Sequence, residues 1–177
     1  MYVHGFETAK RLEKESNRHV QLVVEENGTV AILYATHWTD DEVTTVTGRL
    51  SPTRARLHSN APGKAMLATL ASDRVSEIVE RHGLARRTEQ TIVEESALRS
   101  KLKTIREQGY AVDRGELIDG NGGVGAAIRT DDQLYGAIAV YGPVSEIRAE
   151  IESGDLVSRV REHAEAIRAN IVFGSSA

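Results

Sequence analysis

Hydrophobic and polar positions change period several times along the chain, and each change marks an element. Ala9 and Leu12 stand among charges over Glu7–Ser16, a helical spacing. Val20, Leu22 and Val24 then point one way with Gln21 opposite, which predicts a strand over His19–Glu25. Asn27-Gly28 is the strongest short hairpin signal, because both residues tolerate the positive φ of a type I′ turn. The partner strand is Thr29–Ala35, and a third extended stretch, rich in Thr and Val, covers Val43–Leu50.

The middle of the chain reads as helix. Pro62 suits a first helical turn, where its missing N–H needs no partner, and this helix should run to about Leu70, burying Ala65, Met66 and Leu70. Ser72 is expected to cap a second helix, with Asp73 in the first turn, Val75, Ile78 and Val79 on one face and Gly83 at its end. A third helix, Glu95–Gln108, carries Leu98, Leu102 and Ile105 as its stripe and stops at Gly109. Strands return at Tyr110–Asp113, Gly123–Arg129 and Leu134–Tyr141, with Asp131-Asp132 a turn between the last two. Leu156, Val160, Ala164, Ile167 and Ile171 recur at helical spacing and close the chain, with Gly174–Ala177 expected to be a frayed tail. Three strands, helices, three strands and a helix argue an α+β fold: one antiparallel sheet with helices on its faces. The hairpin signals speak against a doubly wound parallel sheet.

Composition narrows the partners. The 177 residues are 40% hydrophobic and 27% charged, ordinary for a globular domain. A net charge of −4 gives no electrostatic footprint for gripping nucleic acid. The absence of cysteine excludes disulfides, thiolate zinc sites and a thiol nucleophile. No apolar run approaches the roughly 18 residues of a membrane span, and the first residues do not form a signal peptide, so a cytoplasmic protein without membrane contact is expected. The six histidines show no metal-ligand spacing, and no nucleophile stands near a base in a known motif. The expectation is therefore neither an enzyme nor a metalloprotein, with no cofactor. Gly63-Lys64 is not a P-loop, because Ala65 stands where magnesium would need Ser or Thr. Asp40-Asp41 and Glu94-Glu95 read as solvated charges.

The block His58-Ser59-Asn60-Ala61-Pro62-Gly63-Lys64-Ala65-Met66-Leu67-Ala68 resembles the signature of the IclR effector domain, close to H-S-x-A-x-G-K-A-x-L-A. Further blocks follow in that family's order: Gly83-Leu84 with Thr88 and Thr91-Ile92, then Leu98, Leu102, Ile105 and Arg106, then Gly109-Tyr110-Ala111-Val112-Asp113. From Gly120 the chain resembles G-x-x-C-x-x-A-P-V, with Gly123 where the family often has Cys and Ala127 where it often has Pro. The resemblance covers nearly the whole chain. It implies a GAF-like domain, a curved six-stranded antiparallel sheet flanked by helices. It further implies a sensor for a small-molecule effector such as a carboxylate, working as a homodimer or homotetramer and reaching DNA only through an N-terminal winged helix-turn-helix domain that this chain lacks. On that reading residues 1–177 are one effector-binding domain, either a fragment or a stand-alone sensor.

The resemblance also implies a pocket between the sheet and the start of the signature helix. It carries over Ala61 and Pro62 at that start, Asp113, and Asn121 and Gly123 on the later loop and strand, with Thr44, Thr47 and Ala55 as further walls. A helix beginning at Pro62 would leave free N–H groups near Gly63, Lys64 and Ala65, donors that favour an anion; alternatively Gly63 only permits close packing and Lys64 is a solvated surface residue. Asp113 reads either as an acceptor for a ligand hydroxyl or as a strand-end cap, and Arg114 and Glu116 read as surface charges. Loss of the family's thiol at Gly123 suggests a larger pocket, and with it a more polar or bulkier acid than the family's smallest effectors.

Overall fold

The structure, a computed structural model, describes residues 2–39, 42–47 and 56–174, with side chains for 5–36 and 56–174. Six strands form one sheet: β1 (His19–Glu26), β2 (Thr29–Thr39), β3 (Glu42–Thr47), β4 (Ala111–Arg114), β5 (Asn121–Arg129) and β6 (Leu134–Pro143). Their order is β3-β2-β1-β6-β5-β4, with every neighbouring pair antiparallel. The β1–β2 hairpin turns at Asn27 and Gly28, with φ of 51° and 81°, as the Asn-Gly pair requires.

Two hydrophobic layers enclose the sheet. On one face Val20, Leu22, Val124, Ile138 and Val140 pack against α1 (Tyr2–Ser16), α5 (Val144–Ser153) and α6 (Asp155–Phe173), through Ala9, Leu12, Ile147, Leu156, Val160 and Ile167. On the other face Val23, Ile32, Ala111 and Ala137 meet α2 (Ala61–Leu67), α3 (Ser72–His82) and α4 (Glu95–Gln108), through Met66, Ile78, Leu98 and Leu102. The alternation along β1 thus separates two cores, as a sheet buried on both sides demands.

Several boundaries differ from the expectation. The first helix begins at Tyr2 rather than Glu7. α2 ends at Leu67, and the chain tightens into three-residue turns, Thr69 N–H to Met66 O at 3.0 Å and Leu70 N–H to Leu67 O at 3.2 Å. Ser72 is the first residue of α3 and not its cap; Ala71 holds the cap position without a side-chain bond. α5 was not expected at all. A 3-10 turn over Leu57–Ser59 precedes α2. Residues 40, 41, 48–55 and 175–177 lie outside the described residues, so the readings of Asp40-Asp41, of Ala55 and of the C-terminal tail have no structural counterpart here.

Candidate functional site

Antiparallel pairing sets one row of residues across four strands. Asp113 pairs with Gly123, Gly123 with Tyr141, and Tyr141 with His19, so all four face the α2 side of the sheet. The next row runs Ala111, Gly125, Ala139, Gln21 and Ala35. Its small side chains let α2 settle onto the sheet: a Cβ at Gly125 would lie 2.8 Å from Pro62 N and 2.9 Å from Ala61 C.

The start of α2 is closed. Gly63 N–H donates to Asn60 Oδ1 at 2.8 Å, and Lys64 N–H donates to Asn60 O at 3.0 Å. A Cβ at Gly63 would lie 2.6 Å from Leu57 Cα. Gly63 therefore permits close packing, and the expectation of free amides at Gly63 and Lys64 is corrected by the Asn60 cap. Ala61, Pro62 and Gly63 are all buried.

Glu116 departs from expectation and Lys64 from the solvated alternative, since both are buried. Lys64 Nζ donates to Glu116 Oε1 and, at 2.8 Å, to Val112 O. Burial pulls the Lys64 pKa down, opposed by the neighbouring Glu116 carboxylate. Glu116 N–H donates to Asp113 Oδ1 at 2.7 Å. Asp113 thus caps the turn that follows β4. Its burial pushes its pKa up from 3.8 to about 6, against the bond from Glu116 N–H and the charge of Lys64. Thr88 Oγ1 donates to Gly115 O at 2.6 Å and Thr91 Oγ1 to Glu116 O at 2.7 Å. This network fixes residues 115–120 as a roof over the sheet. His58 is buried as well, its ring 3.2 Å from Ala85 O, and burial lowers its pKa.

Under that roof lies a hollow of about 320 Å³. Its sheet side is made by His19, Gln21, Tyr141 and Gly142, and its roof side by Leu117, Ile118 and Asn121. Gln21 Nε2 lies 3.1 Å from His19 Nε2, and the rings of His19 and Tyr141 lie 6.1 Å apart at 44°. Of the carried-over residues whose side chains are described, only Asn121 lines this hollow. Ala61, Pro62 and Gly123 stand behind Tyr141, and Asp113 lies beyond Gly123, where it also borders a groove of about 490 Å³ between β4 and α5. Thr44 and Thr47 lie on β3, opposite His37 and Tyr34 of β2. His19, Gln21 and Tyr141 were missed. The alternation that put Val20 and Leu22 in one core was the signal that Gln21 faces the other side.

The space above Gly123 is not enlarged. A Cβ there would lie 2.5 Å from Tyr141 Cδ1 and 2.7 Å from Cε1, so the tyrosine ring takes the room that a side chain at position 123 would need. The Tyr141 hydroxyl lies against the Ala61 backbone, and burial, joined by the Asp113 charge, pushes its pKa well up, so it stays neutral.

The fold and site define an α+β domain with a small hollow on one face of its sheet, mostly apolar and edged by the polar side chains of His19, Gln21 and Asn121. The family model for the C-terminal domain of bacterial IclR transcriptional regulators matches residues 7–169, and the chain belongs to that family. The "Probable HTH-type transcriptional regulator ArcR" of Halobacterium salinarum is 30% identical over 173 residues, 97% of this chain and 65% of the relative. The "HTH-type transcriptional repressor AllR" of Salmonella typhimurium is 36% identical over 107 residues, 59% of this chain and 39% of the relative. The chain thus spans under two thirds of these relatives' length. The inducer-binding domain of the Acinetobacter transcription factor PobR, solved as a double mutant with 3-hydroxybenzoic acid, superposes with a TM-score of 0.77 at 18% identity, covering 92% of this chain and 94% of that one.

Proposed function

We propose that this chain is the effector-sensing domain of a DNA-binding transcription regulator, taking up a small organic acid in the hollow beside Tyr141. Operator binding belongs to an N-terminal helix-turn-helix domain; ArcR and AllR are named as HTH-type transcriptional regulators. The regulator acts in the cytoplasm as a homodimer or homotetramer, and effector binding shifts the arrangement of its subunits.

One observation carries the ligand reading. The hollow is small and walled by His19, Gln21 and Asn121, and no carboxylate is among its described lining residues. Among the described residues, an acid meets imidazole and amide groups there without a like charge in contact. Leu117, Ile118 and Tyr141 supply an apolar edge, as small-molecule sites commonly do. The bound acid of the PobR domain is of the same chemical class. Thr44, Thr47 and Ala55 are proposed as further walls, while Ala61, Pro62, Gly63, Gly123 and Asp113 frame the corner behind Tyr141.

Titration calorimetry against short-chain, hydroxylated and aromatic carboxylates tests this. Saturable binding of a hydroxylated or ring-bearing acid is expected, weakened about tenfold by Gln21→Ala or Asn121→Ala, in line with about 1.4 kcal/mol per lost hydrogen bond. Binding of glyoxylate or pyruvate alone would overturn the size reading. Binding untouched by both substitutions would move the site elsewhere.

A further inference from the structure

We infer that Tyr141 is the specificity-determining residue of the hollow, a built-in occupant that shuts the effector out of the corner between Ala61 and Gly123 and leaves recognition to Gln21, Asn121 and His19. The inference rests on the effector-sensing reading above and adds to it where the ligand lies and which chemistry reads it.

The corner has the form of a binding position that is already filled. Its floor is Gly123, and the Tyr141 ring lies across it so closely that a Cβ would come within 2.5 Å. At its head the Tyr141 hydroxyl lies against the Ala61 backbone. Pro62 has no N–H, and the Gly63 amide is taken by Asn60 Oδ1. The start of α2 thus offers a ligand no donor outside the cover of the Tyr141 hydroxyl. The far side is closed by Asp113, whose carboxylate accepts from Glu116 N–H and would repel an acid. Tyr141 is 6% exposed and borders the hollow.

A molecule in the hollow therefore stacks or slides against the Tyr141 ring and turns its polar groups toward Gln21 and Asn121. That selects a compact acid carrying a hydroxyl or carbonyl away from its carboxylate, because amide side chains both donate and accept. A bare two- or three-carbon acid presents too little surface to fill about 320 Å³.

Backbone amide spectra of the ¹⁵N-labelled domain separate the possibilities. With the wild type, titration with 3-hydroxybenzoate as the probe is expected to shift residues 19, 21 and 121 and to leave Ala61 and Gly123 in place. Tyr141→Ala opens the corner, and p-cresol, the tyrosine side chain freed from its backbone, is then expected to bind there, shifting Ala61 and Gly123 and raising the melting temperature. Tyr141→Phe keeps the ring over Gly123, so the corner stays filled: p-cresol is expected not to bind, and 3-hydroxybenzoate is expected to shift residues 19, 21 and 121 as in the wild type. This second variant decides the question if the alanine variant does not fold. p-Cresol shifting Ala61 and Gly123 in Tyr141→Phe, or wild-type shifts centred on Ala61 and Gly123, would overturn the inference. A wild type whose 19, 21 and 121 amides respond to no acid, while p-cresol still fills Tyr141→Ala, would instead strike the effector reading and leave Tyr141 as the occupant of the corner.

Discussion

Asp113 carries a charge that its surroundings disfavour. Its side chain is 2% exposed, and the carboxyl holds its proton up to about pH 6, against 3.8 for an ordinary aspartate. A carboxyl whose pKa is raised on folding costs stability above the folded value and nothing below the unfolded one. A shift of about two units is worth roughly 3 kcal/mol. Asp113→Asn keeps an oxygen to accept from Glu116 N–H and removes the charge. The variant is expected to be more stable than the wild type by about 2–3 kcal/mol above pH 6, the excess shrinking to nothing as pH falls toward 4. Urea unfolding at pH 4 and pH 7.5 checks this, and an equal difference at both values would refute it. Residue-level chemistry was the least legible part of the sequence. Spacing brought Asp113 to the end of a strand, yet the partners that bury it, Lys64 and Glu116, lie 49 and three residues away, and Lys64 and Glu116 look like surface charges in a linear reading. Gly123 was read as added room because Tyr141, 18 residues later, is brought over it only by the β5–β6 register.

α2 is held by what surrounds it more than by its own length. It has seven residues, all buried, and rests on the cap from Asn60, the gap at Gly125 and the ion pair of Lys64 with Glu116. That pair also ties α2 to the 115–120 roof. Removing one partner of a buried pair strands the other charge, which typically costs 3–5 kcal/mol, whereas replacing both by apolar groups is often close to neutral. Lys64→Met is therefore expected to destabilise the domain by about 3–5 kcal/mol, and Lys64→Met with Glu116→Leu to recover most of that loss. Denaturant midpoints of the two variants decide it: a double variant as weak as the single one would show that the pair is not the linkage. At this scale the sequence was informative where a period was long. α4 and its glycine stop, with Gly109 at φ 81°, followed from the Leu98, Leu102 and Ile105 stripe. α5 was missed because it spans ten residues between Pro143 and Gly154 and buries Ile147 alone among its side chains. Ser72 misled as a cap because a serine at the first helical position looks the same in sequence as one just before it.

The order of strands was legible as a class, since hairpin chemistry and alternation already required an antiparallel sheet with helices on it. The placement of β1 beside β6 was not, because that pairing joins residues more than a hundred positions apart. It has a consequence for the whole molecule. β1 is the wall between hollow and helices: His19 and Gln21 face the hollow, while Val20 and Leu22 face α1 and α6. α1 reaches β1 through Asn17, in the left-handed region at φ 49°, and then Arg18. A Cβ at Gly5 would lie 2.7 Å from Leu22 Cδ2, so helix and strand are in close contact. Tyr34 Oη donates to Glu13 at 2.7 Å, and Arg159 donates to Glu15 O at 2.6 Å, fastening α1 to β2 and α6. A ligand that fixes His19 and Gln21 thus restrains β1, and β1 restrains α1, the helix nearest to any N-terminal DNA-binding domain. Coupling of about 1–3 kcal/mol is typical between such sites, which corresponds to roughly five- to 150-fold changes in an opening equilibrium. Saturating effector is therefore expected to slow amide exchange over residues 5–16 by about fivefold or more. Residues 72–82 of α3 pack on the opposite face and serve as the control. Slowing confined to β1 and the 115–120 roof would mean that binding stops at the sheet, and that any signal to DNA leaves the domain by another surface.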